Sequence, residues 1–396
     1  MENKKGFADR FDWTLAFIIL LFLIISLFAI SSAQTTGQYG PTNFVFKQLF
    51  WYGVGVIIIS MTMFFEPEQY KKLSWVIYGI GVFLLFMLFI LPGSLDIVAE
   101  RNNAKSWFHL PFGIGSIQPA EFMKTFYILG LARLITKHNE NHLMKTVKTD
   151  FILLGKIALV LIVPLAFILK QPDLGTALVF LAITIALIIV AGITWKIILP
   201  IFMGSIVTGG TLLYFALYQQ DFLTNTFGFK GYQFARIYSW LDPYSYASDE
   251  GMHLITSLNA IGSGEIFGKG YGERIVYVPE NHTDFIFAVI GEEYGFVGAS
   301  IVVSLYFLLI FHLTKITLQL KDAYSTYVCA GIIAMITFHV FENIGMTIQL
   351  LPITGIPLPF ISYGGSSLMG NMLAIGLVFS MKFHHRTYMF AKNEDD

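Results

Sequence analysis

Uninterrupted apolar runs of about twenty residues recur along the whole chain, and no other feature limits its fold as strongly. The first opens at Trp13 and reaches Ala33, and the last closes at Met381. A helix needs about 20 apolar residues to cross the ~30 Å hydrocarbon core of a bilayer. A membrane β-barrel would instead alternate apolar and polar residues along short strands. Composition agrees: of 396 residues, 55% are hydrophobic and 13% are charged. That charged share is about half the usual one for a soluble domain. One or two globular cores cannot hide so much apolar surface, so a soluble enzyme, a disordered chain and a fibrous protein are all excluded. A net charge of −1 gives no bulk attraction to nucleic acid, and a single cysteine, Cys329, rules out an internal disulfide. The chain reads as an all-α polytopic membrane protein.

Ten spans are expected, at 13–33, 48–65, 75–91, 119–136, 151–169, 173–192, 197–218, 284–314, 323–345 and 362–381. The first is too long for the core of a cleaved signal peptide. Orientation follows from Lys and Arg, which gather on the cytoplasmic side. Of the 25, Lys124 and Lys156 lie within spans, and Lys47, Arg101, Lys105, Lys170, Lys230, Arg236, Lys269 and Arg274 fall on one side. The other fifteen fall on the opposite side, in shorter loops. Both termini are therefore expected in the cytoplasm. Three longer segments face outward, at 92–118, 219–283 and 346–361. The segment 219–283 is too rich in aromatics for a disordered linker. It is expected to pack on the outer face of a single integral membrane domain, 1–396.

Charges inside spans are costly, so their positions carry information. Glu121 and Lys124 share one face near the outer end of the fourth span. Asp173 opens the sixth, where it either caps the helix or faces a cavity. Asp284 opens the eighth, with Glu292 and Glu293 deeper on the same helix, and Glu342 lies near the outer end of the ninth. All belong to the outer half of the bundle. They either tie helices together in pairs or line one outward-facing polar cavity. Ser362-Tyr363-Gly364-Gly365-Ser366-Ser367 opens the last span. Its free N–H groups suit an anion, and its small residues equally suit close helix packing. His253, His282 and His339 lack zinc-site spacing and read as interfacial. The Gly-rich turns at 262–272 lack nucleotide-loop spacing.

Two long blocks carry a resemblance. One runs Pro279-Glu280-Asn281-His282-Thr283-Asp284-Phe285 and on through Glu292-Glu293-Tyr294-Gly295. The other runs from Leu351-Pro352-Ile353-Thr354-Gly355 through Pro359-Phe360-Ile361-Ser362-Tyr363 to Ser367. Ala104-Lys105-Ser106-Trp107, Gln118 to Lys124, and Gln171-Pro172-Asp173-Leu174-Gly175 add to them. Together they resemble the shape, elongation, division and sporulation (SEDS) family, and the elongation branch more than the division branch. The chain departs from the pattern at Thr256-Ser257, where Gln-Ser is common, and at Gly264-Glu265, where two glycines are common.

The resemblance implies ten membrane helices and a peptidoglycan glycosyltransferase that polymerises lipid II. It implies Asp284 as the essential carboxylate, Trp107 as a sensitive position, and Glu121, Lys124 and Asp173 as cavity-lining. It also implies a partner, a class B penicillin-binding protein. The chemistry of the residues is compatible. A lipid-linked diphosphate donor needs an apolar groove, an external cation such as Arg236, and an outward polar cavity. Because diphosphate leaves readily, the demanding step is deprotonating the acceptor hydroxyl, a task for one carboxylate. Glu293 is expected to share that cavity, as are Ser362, Tyr363 and Ser366. A divalent cation, Mg²⁺ or Mn²⁺, suits the diphosphate, but no ligand set for one is legible. A lipid flippase and a non-catalytic scaffold are the rival classes. The one-sided clustering of carboxylates counts against both, and the external placement of the long loops counts against the flippase.

Overall fold

The computed structural model describes residues 6–385, apart from 36, 39–41, 92–97, 102–103, 110–114, 143, 172, 228–230 and 248–249. Ten long helices correspond one to one with the ten expected spans. They are preceded by a single turn, α1 (Phe7–Arg10). They run α2 (Trp13–Gln34), α3 (Phe44–Met63), α4 (Pro67–Ile90), α5 (Pro119–Asn141), α6 (Val147–Lys170), α7 (Leu174–Val190) and α8 (Trp195–Tyr218). After three shorter helices, α9 (Gln220–Phe227), α10 (Gly231–Leu241) and α11 (Glu250–Ser263), come α12 (Ile286–Gln319), α13 (Ala323–Thr347) and α14 (Gly365–Phe383). Among the described residues, eight helices are long and apolar enough to cross a membrane. The other two of the ten have evident reasons. Helix α7 has 17 residues, and α5 carries Glu121 and Lys124 in its outer turns.

Polar residues set the boundaries. Asp12, Asn43, Asp173 and Asp322 each accept a hydrogen bond from a backbone N–H in the first turn of the helix they precede, at 2.9 Å. Pro67 and Pro119 occupy first-turn positions, where no N–H is needed. Several boundaries fall some residues from their expected places. Helix α4 starts at Pro67 rather than 75, and α14 at Gly365 rather than 362. In lipid, helices associate through close packing rather than through expulsion of water. Accordingly α3 meets α14 where Gly376 sits over Thr62, and α4 meets α5 where Gly81 sits over Met123. Helices α5, α13 and α14 are the most enclosed, whereas α8 is almost wholly exposed along its length.

Helix α12 is broken at Gly295, where φ is 60° and ψ is −157°. A break at membrane depth must satisfy the backbone groups it frees. The Gly-rich turn after α11 does so. Lys269 N–H donates to Glu292 O (3.1 Å) and Gly270 N–H to Glu293 O (3.0 Å). In return, Phe296 N–H donates to Glu265 O (2.9 Å) and Val297 N–H to Ile266 O (3.1 Å). Backbones this close leave no room for side chains: a Cβ on Gly295 would lie 2.4 Å from Gly268 N.

The long segments gather at one end of the bundle, the end that the charge asymmetry assigns to the outside. In 92–118 a small antiparallel sheet forms in the order β1 (Val98–Arg101), β2 (Ala104–His109), β3 (Ser116–Ile117). Ala99 pairs with Trp107, and Phe108 with Ile117. In 219–283, α10 is fastened to the turn after α13. Trp240 Nε1 donates to Gln349 O, and Gln349 Nε2 donates back to Trp240 O, both at 3.0 Å. Ser257 of α11 donates to Thr347 O at 2.9 Å.

Candidate active site

Asp284 lies in the turn that delivers the chain from the external segment into α12. Three consecutive carbonyls in that turn are each held by a donor from the region 343–363. His282 O accepts Tyr363 N–H (2.8 Å), Thr283 O accepts the Ser362 hydroxyl (2.6 Å), and Asp284 O accepts Asn343 Nδ2–H (2.7 Å). The second proton of the Asn343 amide goes to Ile356 O, also at 2.7 Å. This bond draws the loop 352–357 against Asp284. Gly355, at φ +75°, comes so near that a Cβ there would lie 3.4 Å from Asp284 Oδ2.

The Asp284 carboxyl is pushed up to about 7, chiefly because burial withholds water from its charged form. The Glu280 and Asp173 carboxylates add repulsion. Asp173 itself caps α7, accepting from Thr176 N–H (2.9 Å), the Thr176 hydroxyl (2.8 Å) and Gln118 Nε2 (3.1 Å). Beside it lies a groove of about 390 Å³ lined by Asp173, Arg236 and Thr354. Its walls are apolar, including Leu169, Leu212, Leu213, Phe234 and Ile237. Asp284 adjoins this groove through Gly355 and Asp173 but does not line it.

Other expected site residues fall elsewhere. Glu293 bonds to Arg274 Nε (3.0 Å), Gly272 N–H (3.3 Å) and the Ser32 hydroxyl. Glu292 bonds to Lys269 (2.7 Å) and to the N–H groups of Ile275 and Val276 (2.8 and 3.0 Å). These carboxylates pin the Gly-rich loop and do not share the Asp284 cavity, which corrects the expected place of Glu293. They also occupy two of the expected external cations, and Lys230, a third, lies outside the described residues. Ser362 precedes α14 by three residues and is bonded to Thr283 O and Leu358 N–H, so it is not a helix-start anion site. Tyr363 stacks on His282. Ser366 bonds to Gln118 N–H and Ser116 O, both at 3.0 Å, and so joins α14 to β3. Trp107 stands half-buried in β2, where it pairs with Ala99 of β1.

Glu121 and Lys124 do form a pair, at 2.9 Å, with Lys124 2% exposed. Their third member was not legible in the sequence. His339, read there as interfacial, is fully buried with Nε2 3.2 Å from Lys124 Nζ. One face of α13 thus carries His339 to the Lys124 pair, Glu342 to the Thr354 hydroxyl (2.8 Å) and Asn343 to Asp284. The i, i+3, i+4 spacing was the available signal, but nothing in the sequence says which loops that face meets.

A family model described as cell cycle protein, and named for FtsW, RodA and SpoVE, matches residues 9–387. The chain belongs to this family, the SEDS proteins. Stage V sporulation protein E of Bacillus subtilis is 34% identical over 98% of this chain and 100% of its own length. Peptidoglycan glycosyltransferase RodA of Treponema pallidum is 30% identical over 95% of this chain and 98% of its own. A chain solved in a peptidoglycan synthase complex that coordinates polymerization and crosslinking superposes with a TM-score of 0.73 at 26% identity, covering 94% of this chain and 97% of that one. As a SEDS protein the chain is a multi-pass protein of the cytoplasmic membrane.

Proposed function

We propose that this SEDS protein is a peptidoglycan glycosyltransferase that polymerises lipid II at the outer face of the membrane. The observation that carries the reading is the setting of Asp284, a carboxylate raised to about 7 and clamped beside an apolar groove that also holds Arg236. The groove suits a polyprenyl chain, and Arg236 suits its diphosphate. Asp284 takes the proton from the acceptor sugar's 4-hydroxyl as its oxygen attacks the donor's anomeric carbon. The diphosphate leaves with the bonding pair, and the α-linked donor becomes a β-1,4 linkage by inversion. Proton removal of this kind contributes roughly 10²–10⁴-fold.

A divalent cation, Mg²⁺ or Mn²⁺, belongs to the proposal only as a companion of the substrate. Among the described residues no cluster of three or more His, Cys, Asp or Glu is placed to cage one. Mg²⁺ commonly takes one or two carboxylates plus substrate phosphates, and Asp173 is the groove carboxylate that would serve. The cation would neutralise charge on the leaving diphosphate. The remaining parts of the proposal are a role in cell elongation and partnership with a class B penicillin-binding protein that crosslinks the product. A structural neighbour that works within a synthase complex supports the partnership; for the elongation role, one relative is a RodA, beside others named for sporulation protein E and FtsW.

A broken helix is also a mark of transporters, where the freed groups bind substrate. Here the loop 265–270 takes up four of the groups freed at Gly295, which favours the enzyme. Incubating the purified protein with fluorescent lipid II separates the readings. Glycan ladders on a gel support polymerisation. Unchanged lipid II that crosses the bilayer of a proteoliposome would support transport instead.

A further inference from the structure

The mechanism above uses the Asp284 carboxyl but not the donors that fix its backbone. Asn343 is fully buried on α13, and its amide gives one proton to Asp284 O and the other to Ile356 O, both at 2.7 Å. A single side chain therefore ties together three elements: α13, the turn carrying the base, and the loop that brings Gly355 and Thr354 to Asp284 and the groove. Next to it, Glu342 holds Thr354 from the same helix. Few residue types can do this. Bridging two carbonyls takes two donors on one short, rigid group, and Asn supplies them without a charge. Its Oδ1 has no hydrogen-bond partner among the described atoms. An apolar residue would avoid that unmet acceptor, so the bridge itself accounts for an amide at this position.

We propose that Asn343 is a positioning residue for the reaction: it sets the aim of Asp284 relative to the groove through the bond to the Asp284 carbonyl, with no contact to substrate of its own. The proposal rests on the reading of Asp284 as the base. Removing the bridge frees the turn and the loop 352–357 to part by a fraction of an ångström or more. A misplacement of 1 Å can cost about 10²-fold in rate. Asn343 itself does not line the groove, and only Pro352, Ile353 and Thr354 of its lining belong to the freed loop, so lipid binding is expected to change far less than the rate.

The test measures kcat and KM for lipid II polymerisation by purified full-length protein, with thermal stability recorded for each variant. Asn343→Ala is expected to lower kcat by about 10²-fold while KM stays within a few-fold. Asn343→Ser keeps one short donor and allows for the chance that Asn343→Ala fails to fold; it is expected to lose less kcat, again with little change in KM. The double variant Asn343→Ala with Asp284→Asn is expected to be no slower than Asp284→Asn alone, since a positioning residue has nothing left to position. Near-normal kcat in a folded Asn343 variant overturns the proposal. So does a KM effect without a kcat effect, or losses that multiply in the double variant. These results differ from a failure of the general-base reading, which shows in Asp284→Asn by itself as retained activity.

Discussion

A carboxylate accepts a proton from a sugar hydroxyl best when its own proton affinity lies near the working pH. Asp284 reaches that condition because its turn withdraws it from water and sets it near Glu280 and Asp173. The sign of the pH effect follows. The base form is lost as pH falls through about 7, so initial rates should decline about tenfold per unit below that point. Glu280→Gln removes one repelling charge and should move this acid limb to lower pH; a limb that stays in place contradicts the assignment. Lys124 tests a different idea. Its removal in Lys124→Met leaves Glu121 buried and unpaired, and thermal or denaturant unfolding should show a loss of roughly 3–5 kcal/mol. Asp284 was legible in the sequence because it stands where the long external segment runs into an apolar span, inside the block that carries the family resemblance. Glu293 was misplaced because helical phase reveals a face and not what covers it. Its partners come from a Gly-rich loop whose fold is decided by backbone hydrogen bonds to α12, a pattern with no side-chain signature.

At the scale of elements, the ten membrane helices were legible because hydrophobic length is a one-dimensional property. Some of their ends shifted, as at Pro67. The break in α12 was not legible, since a lone glycine, here Gly295, is tolerated inside a helical span and no proline marks the site. Its backbone angles are open to glycine alone, and a Cβ there would strike the backbone of Gly268. Gly295→Ala should therefore lower the unfolding temperature sharply, or prevent accumulation of folded protein, as seen by fluorescence-detected size exclusion. Glu265 gives the opposite case. It stands exposed in the same loop at φ 49°, a left-handed conformation that favours glycine. Glu265→Gly should stabilise the protein by about 1 kcal/mol, read as a rise in melting temperature, while unchanged or lower stability contradicts that account.

For the whole molecule, charge asymmetry sets the topology, and at the outer end the segments 219–283 and 346–361 are joined by the Trp240–Gln349 and Ser257–Thr347 hydrogen bonds. Cysteine labelling tests this directly, since the native Cys329 is buried and unreactive. Cysteine introduced by Ser245→Cys should react with an impermeant maleimide on intact cells, and by Asn141→Cys only after permeabilisation; the reverse pattern contradicts the orientation. The outer end is also where the bundle brings Asp173, Asp284, Arg236 and the 390 Å³ groove into one neighbourhood. This neighbourhood is proposed to polymerise lipid II with Asp284 as base. The most direct measurement is glycan synthesis from lipid II by purified Asp284→Asn protein, beside wild type and with melting temperatures compared. The account predicts a folded protein of near-normal stability whose polymerisation falls by about two orders of magnitude or more. A well-folded Asp284→Asn protein that builds glycan at close to the wild-type rate contradicts it.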